Sequence, residues 1–161
     1  IRLARFDGAA WTGEEVAPDS TGLNGISLAF APDGTPAMAF QANTLGGSEI
    51  GYAYYDGSTW QTETVDARNP AASICSLAFS PAGQPAIAHG IQTTPNLIFS
   101  VRVGSAWSHA TVDAGGEASA LAFGPDEQPA IAYSRNDGLY FARFDGTNFN
   151  KSFLYFLVPD E

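Results

Sequence analysis

The chain has 161 residues, 45 % of them hydrophobic, and a formal net charge of −10. That apolar content supports a core and excludes a disordered chain. The acidic balance repels nucleic acid and anionic lipid, and no apolar run reaches 18 residues, so neither nucleic acid nor membrane insertion is expected.

The chain opens on Ile1 and not Met, which fits a product cut from something longer. The first 16 residues, IRLARFDGAAWTGEEV, form a half-unit that returns as YAYYDGSTWQTETV (52–65), FSVRVGSAWSHATV (99–112) and FARFDGTNFNKSFL (141–154). Aligned on Gly8, Gly57, Gly104 and Gly146, an aromatic follows three residues later in each: Trp11, Trp60, Trp107 and Phe149. An aliphatic follows at the eighth: Val16, Val65, Val112 and Leu154. Alternation before the glycine and a turn at it predict a hairpin.

A second half-unit reads SLAFAPDGTPAMAF from Ser27, SLAFSPAGQPAIAH from Ser76 and ALAFGPDEQPAIAY from Ala120. Its leucines, Leu28, Leu77 and Leu121, are 49 and 44 residues apart. The first proline presets φ at a turn corner, and the second stands at the first residue of a strand, so this is another hairpin. The third copy has Glu127 where the others have Gly34 and Gly83, so its turn either changes type or carries strain of about 1 kcal/mol. The near-continuous apolar run Leu-Ala-Phe predicts an inner strand buried on both faces. Leu28, Phe30, Leu77, Phe79, Leu121 and Phe123 are its expected core.

Two hairpins make one unit of four antiparallel strands, a to d. The units are expected over 24–66, 73–113 and 117–158, with 1–16 a half blade supplying only c and d. Four-stranded units of this period are blades of a β-propeller. The fold class is therefore all-β, a propeller arc of about three and a half blades. Such an arc leaves open edges, so it is expected to be closed by a second copy, as a homo-oligomer, or by a complementary propeller fragment. Leu-Ala-Phe-x-Pro-x-Gly-x-Pro-Ala-Ile-Ala-Tyr followed by Tyr-Ala-x-x-Asp-Gly-x-x-Trp resembles the degenerate blades of secreted and surface-attached bacterial propellers. It is distantly similar to WD-repeat blades, without their Trp-Asp dipeptide or Gly-His pair. The resemblance covers nearly the whole chain. It implies the fold and an extracellular or cell-surface location, and leaves the function open.

Variable loops on a repeated scaffold are where recognition residues gather. The d–a and b–c loops fall at one end of the blades, and their polar side chains His89, Arg68, Arg135, Asn43 and Gln92 are the candidate ligand-binding residues. His89 stands where the other copies have Phe40 and Tyr133, so it reads either as a hydrogen-bonding group near the axis or as an aromatic-like packing residue. His109 lies on an outer strand facing solvent. Two histidines so far apart give no zinc spacing, and no metal site is expected. One cysteine, Cys75, excludes an internal disulfide and a thiolate site; it reads as a small buried residue. Asp7, Asp56 and Asp145 beside the turn glycines read as turn formers rather than calcium ligands.

No nucleophile elbow, zinc-protease helix motif or phosphate loop is present, so no cofactor and no catalytic residue is assigned. The chain reads first as a non-catalytic binding or interaction module. A carbohydrate-binding lectin comes second, because aromatics recur once per blade with Asn, Gln and Thr nearby. A sialidase-like glycoside hydrolase comes third: the Asp-box spacing is wrong, and only Arg68 and Arg135 fall in the upper loops.

Overall fold

A computed structural model describes residues 1–17, 21–44, 47–68, 75–91 and 96–155. The half blade is β1 (Arg2–Phe6) and β2 (Trp11–Glu15). The first full blade holds β3 (Thr21–Phe30), β4 (Pro36–Thr44), β5 (Gly47–Tyr55) and β6 (Trp60–Asp66). The second holds β7 (Cys75–Phe79), β8 (Pro85–Ile91), β9 (Asn96–Val103) and β10 (Ala106–Ala114), and the third β11 (Glu117–Phe123), β12 (Pro129–Arg135), β13 (Gly138–Phe144) and β14 (Phe149–Tyr155). Every sheet is an antiparallel meander in chain order. The fold is all-β, an arc of a half blade and three blades. No helix among the described residues is long and apolar enough to cross a membrane.

The turns follow their residues. Asp7, Asp56 and Asp145 each accept, at 2.8 Å, the backbone N–H groups two and three residues on, which closes the c–d turn and holds each carboxyl below its usual pKa. In the a–b turns, Gly34, Gly83 and Glu127 each donate to the carbonyl three residues back, at 2.8, 2.8 and 3.0 Å. Their φ angles are +85, +84 and +63°. The third turn has kept its type and carries the strain of a side chain in a left-handed conformation.

The inner strands β3, β7 and β11 lie side by side. The Ser27 hydroxyl accepts the Leu77 N–H and the Ser76 hydroxyl accepts the Leu121 N–H, both at 3.0 Å, so each blade satisfies a free edge group of the next. Leu77 packs on the first blade against Ala37, Ala39, Ile50 and Tyr52, and Leu121 packs on the second against Ala86, Ala88, Leu97 and Phe99. The Cys75 thiol is buried beside them, donates to the Gly25 carbonyl, and is pushed up to about 12 by that burial.

Of the six expected core residues only Leu77 and Leu121 are buried. Leu28 and Phe30 are 47 % and 59 % exposed, whereas Leu77 and Leu121 are buried and Phe79 and Phe123 half-buried. The side chains of Leu28 and Phe30 point toward the half blade, where β1 and β2 fill only the two outer strand positions. An inner strand is apolar on both faces, but each face is buried only by a neighbouring blade.

Candidate functional site

Two seams between full blades carry polar clusters built from equivalent positions. Each begins with a β-bulge near the end of strand d. In β6 the register with β5 runs from Thr64 opposite Gly51 to Asp66 opposite Ile50, leaving Val65 as the extra residue. In β10 it runs from Thr111 opposite Ile98 to Asp113 opposite Leu97, leaving Val112. A bulge breaks alternation and turns two consecutive side chains inward. Val65 and Asp66, and Val112 and Asp113, are accordingly all buried.

At the first seam Asp66 meets His89, the last aromatic-type position of strand b in the second blade. His89 is fully buried. Its Nδ1 lies 3.3 Å from the Gly90 carbonyl, so that nitrogen carries the proton and donates. Its Nε2 then accepts from the Ser100 hydroxyl at 2.9 Å, and Ser100 accepts from His109 Nδ1 at 2.8 Å. Nε2 also lies 3.7 Å from Asp66 Oδ2. Arg68 binds the same carboxylate through Nε and through Nη2, the latter at 2.6 Å. Burial lowers the His89 pKa to about 4 against the pull of Asp66 and Gly90, so the ring is neutral near pH 7. Burial works to raise Asp66, but the Arg68 hydrogen bonds outweigh it and the carboxyl stays below its usual range.

At the second seam Asp113 meets Tyr133, which occupies the position of His89 and donates its hydroxyl at 2.8 Å. Lys151, at the position of His109, donates to the other oxygen at 2.8 Å, and Arg135 adds a third bond at 3.2 Å. Burial pulls Asp113 up, and these three donors together bring it below the usual carboxylate range. The seam between the half blade and the first blade has Ala17 and Phe40 in these places and is apolar, with Leu3, Val16, Met38 and Ala53 around them.

Of the candidate ligand-binding residues, His89 and Arg68 join at the first seam through Asp66, and Arg135 stands at the equivalent place of the second. Asn43 lies near the end of β4, exposed, and accepts from Ser48 at 3.1 Å. Gln92 lies outside the described residues. Arg68 and Arg135 are thus each tied to the carboxylate of a separate seam and do not form one arginine cluster. His109 is exposed as expected, yet hydrogen-bonded into the buried His89 chain. Asp66, Asp113 and Ser100 went unread as site residues. The available signal was the repeated pair Val65-Asp66 and Val112-Asp113 against Val16-Ala17 in the half-unit.

At the turn end of the second seam a cleft of about 310 Å³ opens between the second and third blades. Phe99, Phe123, Phe144 and Phe149 wall it. Gln84, Ser108, Glu127 and Gln128 supply its polar groups. The first seam closes the same route toward strand d. There Trp107 packs edge-on against Tyr52 at 5.3 Å and donates to Glu63 at 3.2 Å, and Arg102 reaches the same carboxylate at 2.6 Å. The second seam has Phe149 for Trp107, Ala110 for Glu63, Phe144 for Arg102 and Val101 for Tyr54. Smaller, uncharged side chains leave the opening. The cleft at the first seam, about 350 Å³, lies instead over Asp33, Thr35, Tyr55 and Asp56.

No family model matches the chain, and no curated protein matches it. Among solved structures it is similar to a fucose lectin from Kordia zhangzhouensis in complex with methyl-fucoside. The TM-score is 0.54 at 10 % identity, covering 82 % of this chain and 99 % of that one. It is also similar to a protein of unknown function from Dyadobacter fermentans DSM 18053, with TM-score 0.53 at 15 % identity. That match covers 90 % of this chain and 56 % of the other. At such identities the likeness concerns the fold, a β-propeller-like stack of four-stranded sheets.

Proposed function

We propose that the protein is a non-catalytic binding module whose ligand is a saccharide held in the cleft between the second and third blades. The observation that carries this reading is the cleft itself, four phenylalanine rings facing a rim of amide, hydroxyl and carboxylate groups. Sugars present apolar C–H faces to aromatic rings and hydroxyls to such planar polar groups. Glu127 adds support: the turn keeps a conformation suited to glycine while placing a carboxylate at the cleft. The similar fucose lectin is a further point in its favour. The seam carboxylates Asp66 and Asp113 are held in ion pairs and do not face each other across a cavity, which fits binding rather than glycoside hydrolysis.

A glycan array followed by titration calorimetry tests this. Binding of a saccharide by the chain, reduced at least about tenfold in Ala110→Glu, supports it. Ala110 is exposed, so the substitution blocks the cleft without burying a charge. The absence of any saccharide ligand, or binding unchanged by Ala110→Glu, would overturn it.

We also propose that the face bearing Ile26, Leu28 and Phe30 is covered by an inner a–b hairpin of the same repeat, added to the edge of β1 left without a partner among the described residues. The occupant follows from the other seams, where an Ala-x-Ala strand lies against the residue equivalent to Leu28. A synthetic a–b hairpin of the repeat, residues 75–91 of this chain, should bind the chain in titration calorimetry, and Phe30→Lys should abolish the binding. No binding of the hairpin, or binding unchanged in Phe30→Lys, would contradict this proposal.

A further inference from the structure

We propose that the first seam holds a divalent first-row transition ion, with Zn2+ as the type case, between His89 Nε2, His109 Nδ1 and the Asp66 carboxylate. One ligand atom from each of the three residues lies within 4.8 Å of the others, and they come from two blades: Asp66 from β6, His89 from β8 and His109 from β10. Two imidazoles and one carboxylate suit zinc or its neighbours better than calcium or magnesium, and three protein ligands leave a position for water.

The buried ligand is already oriented. His89 donates Nδ1–H to the Gly90 carbonyl, which leaves Nε2 as the acceptor, bound now to the Ser100 hydroxyl and 3.7 Å from an Asp66 oxygen. A backbone carbonyl behind a ligating imidazole fixes its tautomer and raises its basicity. Nε2 and the carboxylate are neighbouring acceptors, held now by Ser100 and Arg68, and an ion that displaces those donors gains both. His109 is exposed and so gives the ion a way in; its imidazole proton moves to the solvent-facing nitrogen when Nδ1 ligates. Ser100, within 2.9 Å of both ring nitrogens, yields its hydrogen bonds to the ion.

Among the described residues, Arg68 is the cation that opposes the ion. Its guanidinium holds Asp66 now, and it is half exposed, so it can leave into solvent. A metal here would add a tie between the first and second blades to the packing, the Ser27 and Gly25 hydrogen bonds and the Arg102–Glu63 ion pair that already cross this seam. The second seam has no counterpart: Tyr133 and Lys151 replace the two histidines, and Lys151 supplies the cation as part of the chain.

The test uses the whole chain, stripped with chelator and titrated with Co2+ for visible d–d absorption and with ZnSO4 for its thermal melt. One equivalent of Co2+ should give a saturable absorption band, and Zn2+ should raise the melting temperature. Both effects should disappear in His109→Ala, whose exposed site leaves the fold intact by circular dichroism. Arg68→Ala should tighten the ion by about tenfold, because it removes a competing positive charge. No band in the parent chain, a band retained in His109→Ala, or weaker binding in Arg68→Ala would each overturn the proposal.

Discussion

The two seams between full blades share one backbone plan and differ in how they neutralise it. Both place an aspartate inward by a bulge at the same point of strand d. One answers it with arginine and a neutral imidazole, the other with tyrosine, arginine and lysine. At the turn end the contrast reverses: the first seam is closed by Trp107, Glu63 and Arg102, and the second opens into an aromatic cleft. A repeat therefore fixes where side chains meet, and the identities at a few meeting points decide whether a seam is a staple or a site.

The largest effect concerns which face of an inner strand is covered. Leu77→Ala should cost about 2–5 kcal/mol in urea denaturation, as a truncation in a packed seam. Leu28→Ala, the same position one blade earlier and 47 % exposed, should cost less than about 1 kcal/mol in dilute solution. Equal losses would mean that Leu28 is covered in the dissolved protein.

A second measurement separates the seams by pH. His89 is held at about 4 by burial while an unfolded histidine titrates near 6.5, so the unfolded chain binds the extra proton between those values. Stability should then be full above pH 6.5 and fall as the pH drops toward 4, by about 3 kcal/mol for this group. His109, also lowered by partial burial, acts in the same direction. His89→Tyr copies the second seam and should remove most of this slope. An unchanged slope would place its origin elsewhere. Asp66 and Asp113, both lowered, contribute stability that is lost only at more acid pH, below the ordinary carboxylate pKa.

The smallest expected effect is a gain. Glu127→Gly should stabilise the chain by about 1 kcal/mol by relieving the left-handed strain, and make the third a–b turn equal to the first two. If Glu127 serves the cleft, the same change weakens saccharide binding. A variant that is no more stable than the parent would show that the turn bears no strain.

The repeat, the hairpin turns and the order of strands were legible in the sequence, because each depends on local chemistry. Proline presets one φ, glycine allows another, and an apolar run marks a doubly buried strand. At Glu127, aligned with Gly34 and Gly83, the sequence left open a changed turn or a strained one, and the structure decided for the strained one. The seams were not legible. Alternation would place Val65 inward and Asp66 outward, and only the bulge against β5 turns both inward. The exposure of Leu28 and the burial of Leu77 cannot be told apart within one strand, since the difference is the blade that faces each. His89 and His109 are far apart in the chain and become neighbours because a meander places strands b, c and d side by side, with Ser100 on the strand between them. Sequence determined each blade, whose interactions run along the chain and between adjacent strands. Tertiary structure decided what the blades do together, because the buried aspartates, the cleft and the exposed inner face arise where side chains of different blades meet.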